Sequence, residues 1–274
     1  MKDNLPITKK PMRIISVTGG KGGIGKTTIS VNLAIAFSKM KKKVLLFDAD
    51  LGLANVDLML GLNPEKTIYD VFSGKCSMKD VCIEGPHGLK IIPSSSGIQK
   101  MADLSLKESV ELIRSFSLLT EDLDVMIIDM ASGISNQVMD FTHASQDIMV
   151  VICNDPASMM DSYAVIKILH QKYARSRFGI VVNKVKSQNE GLRVFTRFQE
   201  TTAKFLNLSL NYLGHIPDDD YIKLAARERK AVYDRYPHSN SALAFNNIYM
   251  GVENWEEDDN VMGGIHFFFD RLTL

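Results

Sequence analysis

The segment Gly20-Lys21-Gly22-Gly23-Ile24-Gly25-Lys26-Thr27 sets two glycines five positions apart, followed directly by a lysine and a hydroxyl residue. This G-x-x-x-x-G-K-[ST] pattern arises by chance in roughly one chain in a hundred of this length. Its chemistry is phosphate binding. Glycines let the backbone curl so that successive N–H groups face phosphate oxygens, and a helix opening near Thr27 adds its positive end. Lys26 is placed for the β- and γ-phosphates, and the Thr27 hydroxyl for Mg²⁺. The loop, taken as Gly20 to Thr28, follows the apolar run Ile14–Thr18 and opens a helical segment, as that mechanism requires. ATP with Mg²⁺ is the expected ligand. Lys21 is a second lysine at the start of the loop, a place where a cation could also simply be solvated.

Carboxylates follow at the ends of other apolar runs. Phe47-Asp48-Ala49-Asp50 closes one of them, and two acids one residue apart on a strand point to opposite sides, so they need different roles. Val125-Met-Ile-Ile-Asp129 is an apolar strand ending in an acid, the pattern in which Asp129 contacts Mg²⁺ directly or through water. Gly133, just beyond, would let the backbone approach a γ-phosphate. Val181-Val182-Asn183 ends a further run, and Gly214-His-Ile-Pro217-Asp218 another.

The elements that must hold these residues are legible as short β-branched runs: Ile14–Thr18, Val44–Phe47, Leu89–Ile92, Val125–Ile128, Ile148–Cys153, Ile180–Val182 and Leu210–Ile216. Helical spacing lies between most of them, as in Val31, Ala34, Ile35 and Ser38; in Leu112, Phe116 and Leu119; and in Ala164, Ile168 and Leu169. Continuous apolar strands alternating with helices predict an α/β fold, a doubly wound and mostly parallel sheet with helices on both faces. Ligands then bind beyond the carboxyl ends of the strands. The predicted organisation is one domain over 1–254 and a tail over 255–274.

At 274 residues, with 45% hydrophobic and 23% charged, the chain can bury a core without a disulfide or metal staple. Lys+Arg and Asp+Glu are each 32, which argues against a generally basic nucleic-acid binder. Cys76, Cys82 and Cys153 form no C-x-x-C pair and read as reduced thiols. The polar start and the lack of any spanning apolar run predict a cytoplasmic protein.

The string KGGIGKTT resembles the deviant phosphate loop of the MinD/ParA family, of the SIMIBI class of P-loop NTPases. The resemblance implies that Lys21 crosses a dimer interface to the partner's nucleotide, making ATP hydrolysis slow and conditional on a homodimer. It further implies that Lys26 assists catalysis, that Asp50 positions or deprotonates the attacking water, and that Asp48 supports Mg²⁺ or the switch geometry. Capping a neighbouring turn is an alternative for Asp48. Asn183 and the Pro217-Asp218 turn are implied to hold adenine, although Asn183 could equally be a strand-end turn residue. Here the chain reads Asp129-Met-Ala-Ser-Gly133 where the family usually has D-x-A-G or D-T-A-A-G.

Asp48-Ala-Asp-Leu-Gly-Leu-Ala-Asn-Val-Asp57 is similar to the flagellar-number branch, FlhG/FleN; division-site MinD proteins usually carry Arg at the position of Ala54. Gly85–Gly97, Cys153–Leu169, Arg229–Phe245 and Gly263–Leu272 resemble the same branch. Control of flagellar number and placement is thereby implied. The implied partners are the SRP-type GTPase FlhF, flagellar C-ring or switch proteins, and a flagellar master transcription activator. The D-Q-A-x-x-L-R segment with which some FlhG proteins stimulate FlhF is missing from Met1 to Pro11. A division-site or a ParA-like DNA-segregation ATPase is the alternative, and the second needs a basic DNA-binding face that the balanced charge disfavours.

In the tail, Val261, Met262, Ile265, Phe268, Phe269 and Leu272 fall within about 120° on a helical wheel, an amphipathic width. The resemblance implies peripheral contact with the inner membrane at the cell pole. The acidic run Glu256–Asp259 and the single cation Arg271 oppose it, and docking of these aromatics on the chain's own core is the alternative.

Overall fold

Ile14, Ile15 and Val17 are consecutive or nearly so, yet all are buried, because their strand carries apolar packing on both faces. The computed structural model describes residues 12–95, 106–119 and 123–255. Its strands are β1 (Arg13–Thr18), β2 (Val44–Ala49), β3 (Ile83–Glu84), β4 (Lys90–Ile92), β5 (Val125–Met130), β6 (Asp147–Cys153), β7 (Gly179–Val185) and β8 (Asn211–Pro217). They form one sheet in the order β3-β4-β2-β5-β1-β6-β7-β8. Every neighbouring pair is parallel except the antiparallel β3–β4 edge.

The helices are α1 (Lys26–Lys39), α2 (Val56–Leu60), α3 (Ile68–Phe72), α4 (Met78–Val81), α5 (Leu106–Ser115), α6 (Asn136–Ala144), α7 (Pro156–Tyr173), α8 (Gln188–Leu206), α9 (Asp220–Arg227), α10 (Val232–Arg235) and α11 (Asn240–Glu253). Side chains alternate across the sheet into two cores. Ile14, Leu45, Phe47 and Ile128 meet Phe141 of α6, Val165 of α7 and Phe198 of α8 on one face. Ile15, Val17, Leu46 and Ile127 meet Phe37 of α1 and Phe245 of α11 on the other. The doubly wound expectation is met in full.

Two elements differ from their sequence reading. The spacing of Val31, Ala34, Ile35 and Ser38 suggests a one-sided stripe, but α1 is buried almost all round, from Ile29 through Ser38. It lies between the sheet and α11, where Phe37 meets Tyr249 edge-on at 4.9 Å. The two-residue β3 is too short to leave a period-2 signal and was not expected.

The far end of α11 is tied to the first residue of β1. Buried Arg13 donates from Nε to Asp147 at 2.6 Å, and from its two Nη atoms to the carbonyls of Val252 (2.7 Å) and Trp255 (3.2 Å). Trp255 is itself buried, with Arg177 over its ring at 4.9 Å. These contacts hold Trp255 in the folded unit. Ile265, Phe268, Phe269, Leu272 and the acidic run lie outside the described residues. No helix among the described residues is long and apolar enough to cross a membrane.

Candidate nucleotide site

Helices entering from the carboxyl edge of the sheet are capped by their own sequence. Ser135, Asp155, Ser187, Asp219 and Ser239 each accept a backbone N–H in the first turn of α6, α7, α8, α9 and α11. The short α2 and α10 lack such a cap, and so does the long α1. The N-cap of α1 is Gly25, with left-handed backbone (φ 99°), no side-chain cap and no acid in the first turn. The opening N–H groups of α1 therefore lack the side-chain partner that those five helices supply, and they face the loop that an anion would fill.

Gly25 is obligatory on two counts. Its φ is unfavourable to any side chain, and a Cβ there would lie 2.2 Å from Asn183 Nδ2. Gly20 is similarly closed in, since a Cβ would meet the Asp161 backbone at 2.2 Å. By contrast, a Cβ on Gly22 would find only Ser132 Oγ at 3.7 Å. Gly23 and Gly133 also have positive φ, 72° and 97°. Ile24 is buried and anchors the loop in the core beside α1.

Lys26 is buried, and burial lowers its pKa, while the charges of Asp129 and Asp50 oppose that fall. Strand register brings the acids to it. Asp129 of β5 is level with Val17 of β1 and with Asp48 of β2. Asp129 is buried; its Oδ1 accepts from Ser30 Oγ at 2.8 Å, and the Thr27 hydroxyl bonds the same carboxylate. Its Oδ2 is buried with no hydrogen-bond partner. A carboxylate oxygen left without a donor beside a threonine hydroxyl and the open end of α1 suits a divalent cation carrying a phosphate chain. Burial raises the pKa of Asp129, against the pull of Thr27, Ser30 and Lys26.

Asp48 is as deeply buried but differently employed. Oδ1 accepts the Asp50 N–H at 3.1 Å, and Oδ2 accepts those of Asn55 at 2.9 Å and Val56 at 3.2 Å. Both oxygens are spent on the loop from Asp50 to α2. These contacts fit switch geometry and the capping of the neighbouring turn, two of the roles expected for Asp48 beside support of Mg²⁺. Asp50 is half-buried, its carbonyl held by Ser94 Oγ at 2.9 Å. Burial raises its carboxyl pKa and the Lys26 charge pulls it down, so Asp50 and Lys26 sense each other across the site.

Lys21 and Asn183 are placed in ways the motifs do not foretell. Lys21 Nζ lies 2.9 Å from Asp155 Oδ2 of its own chain, both side chains 45% exposed. Asp155 also caps α7 through the Ser158 N–H. Asn183 donates from Nδ2 to the Ile24 carbonyl at 2.7 Å and accepts from the Lys184 N–H at 2.9 Å. Its amide is therefore a brace between β7 and the phosphate loop. Pro217 and Asp218 end β8 beside it; the Asp218 N–H bonds Val185 O at 2.9 Å, next to a cleft of about 520 Å³ that both line.

Three contributors were missed. Ser30 is one helical turn after Lys26, a spacing that could have nominated it. Lys184 Nζ reaches Gly23 O at 2.8 Å from a residue with φ 58°, a backbone choice that no motif encodes. Asp155 looks like an ordinary helix cap until the fold brings Lys21 to it.

The CobQ/CobB/MinD/ParA nucleotide binding domain matches residues 15–232. The chain is 42% identical over 263 residues to the antiactivator FleN of Pseudomonas aeruginosa, covering 96% of this chain and 94% of that protein. It is 32% identical over 238 residues to the flagellum site-determining protein YlxH of Helicobacter pylori, covering 83% and 80%. Among solved structures, the septum site-determining protein MinD of Pyrococcus horikoshii, complexed with Mg-ADP, superposes with a TM-score of 0.75 at 26% identity, over 89% of this chain and 96% of that one.

Proposed function

Because the chain belongs to the CobQ/CobB/MinD/ParA nucleotide-binding family and is similar along nearly its whole length to FleN, we propose that it is a regulatory ATPase controlling flagellar number and placement. ATP brings two copies together, and hydrolysis separates them. The observation that carries this reading is the division of labour among the loop's lysines. Lys26 is buried inside the loop and Lys184 is bonded to its backbone, whereas Lys21 is exposed and held only by an exposed ion pair. Solvent screens such a pair, so redirecting Lys21 to a partner's phosphates costs little.

Thr27 and Asp129 would hold the metal, which when bound would supply electrophilic stabilisation of phosphate charge. The open N–H groups of α1 and Lys26 would cradle the phosphate chain, with Gly133 giving the switch backbone its approach. Asp48 fixes the loop that carries Asp50, and Asp50, half-exposed at the same edge, orients water for in-line attack. Asn183 would exchange its bond to Ile24 O for the base edge, next to Pro217 and Asp218.

FlhF, C-ring proteins and a master transcription activator are the partners proposed for the paired form; the name antiactivator borne by FleN and the flagellar role in the name of YlxH support that direction. The tail is assigned to peripheral contact with the inner membrane at the pole. The test is Lys21→Ala. ATP binding should be retained, while the rise in turnover per chain with protein concentration should vanish. A variant whose turnover still rises with concentration removes Lys21 from the mechanism.

A further inference from the structure

A cavity of about 810 Å³ opens at the amino ends of β2, β4 and β5, the edge of the sheet opposite the phosphate loop. Its lining includes Lys39, Lys41, Lys42, Lys43, Lys90 and His87. Lysines close to the end of a helix balance the negative pole of its dipole, and Lys39 in the last turn of α1 serves that purpose. Lys90 comes from β4 and His87 from the turn before it, so the remaining charge is gathered from separate parts of the chain.

The carboxylates bordering the cavity are already engaged. Asp234 holds Lys39 at 2.8 Å and His87 at 2.9 Å, and Glu253 holds Lys42 at 3.4 Å. Asp124 accepts the backbone N–H of Lys43 at 2.7 Å. Lys41 and Lys90 are both exposed, and neither forms an ion pair with a carboxylate among the described residues. Lys41 and His87 also share a backbone oddity: each is a non-glycine residue in the left-handed region, with φ 64° and 59°. That conformation is uncommon for residues with side chains, and here it occurs twice on the rim of one concave, basic cavity.

We propose that this cavity is a second anion site, taking a ligand with two or more linked phosphates between Lys41 and Lys90. The volume lies within the range of small-ligand pockets. Ammonium groups on flexible stems suit phosphate as point charges, and among the described residues of the lining the His87 imidazole is the one aromatic ring. Recognition therefore rests on phosphate. The fold then carries an anion site at each end of α1. This inference does not depend on what the nucleotide site regulates.

The test is calorimetric titration of the full chain with tripolyphosphate in excess Mg-ADP and Mg²⁺, so that the phosphate loop is already filled. Saturable binding at one equivalent is expected. It should weaken by about tenfold or more in Lys41→Ala/Lys90→Ala, survive largely in Lys41→Arg/Lys90→Arg, and be untouched in the remote pair Lys172→Ala/Lys204→Ala. A parallel sedimentation arm uses cardiolipin vesicles, whose headgroup links two phosphates through one glycerol. Capture lost in the same alanine pair would make a lipid headgroup the source of the phosphate and would uphold the site. Two results overturn it: no saturable binding of tripolyphosphate together with vesicle capture that is absent or indifferent to the alanine pair, or equal weakening by the remote pair.

Discussion

His215 on β8 shows how one partly buried titratable group tunes stability. Its Nδ1 is 3.0 Å from the Tyr212 hydroxyl; burial lowers the imidazole's pKa and raises that of the phenol to about 12. The unfolded chain thus takes up this proton first, near the ordinary value of about 6.5, and the associated stability is lost as pH falls through that value towards the lower folded one. The thermal midpoint of the wild type should drop more between about pH 7.5 and about pH 5.5 than that of His215→Gln. Parallel drops in the two proteins would contradict the assignment. At this scale the sequence was readable wherever a residue's role follows from a local pattern, as with Lys26, Thr27, Asp129 and Gly25. It was unreadable where partners come from distant strands. Asn183 could be nominated as a site residue, but its bond to Ile24 O depends on β7 ending level with the loop. Asp48 could be nominated as an acid or as a turn cap, but the three backbone N–H groups it accepts could not be named.

Among the elements, β2 deserves its position at the site to the aromatic packing just before its acids. Phe47 is fully buried, 4.8 Å from the Phe116 ring and 6.0 Å from the Phe141 ring. Phe47→Ala should lower unfolding stability by about 3–5 kcal/mol, measured by denaturant titration. The cost belongs to the strand rather than to the nucleotide, so a loss below about 1 kcal/mol would show that the strand is held by other contacts. All seven sequence-predicted strands are present: the inner ones are nearly continuous apolar runs, which both faces of a doubly covered sheet require, while β8 at the edge mixes apolar and polar residues. Boundaries shifted by a residue or two where a strand admits a polar end, as Asp48–Ala49 in β2 and Asp147 in β6. The capping pattern adds information that hydrophobic periodicity does not: of the long helices that start at the carboxyl edge, α1 alone among the described residues has a glycine where the others have a capping side chain.

For the whole molecule, the proposed cycle requires the paired state to persist when hydrolysis is blocked. Asp50→Ala with ATP should sediment as a long-lived dimer and with ADP as a monomer. A variant that remains monomeric with ATP removes Asp50 from the release step or pairing from the cycle. Exposed Leu53, Ile134 and Met160, on the loops after β2 and β5 and on α7, are the apolar surface available for such pairing near the phosphate edge.

The borders of the sheet bear on how copies can meet. One border is β3, a two-residue strand running against its neighbour; the other is β8, which ends in Pro217 and whose pairing with β7 slips register between Ile180 and Val181 and again between Val182 and Val185. A strand that is very short, or that is irregular and proline-ended, is a poor template for a further strand. Lateral growth into a continuous ribbon, with its drift towards fibres, is thereby discouraged at both margins. Copies of this protein are thus steered to meet through surfaces other than the strand edges, and contacts made that way can be undone without unzipping a sheet.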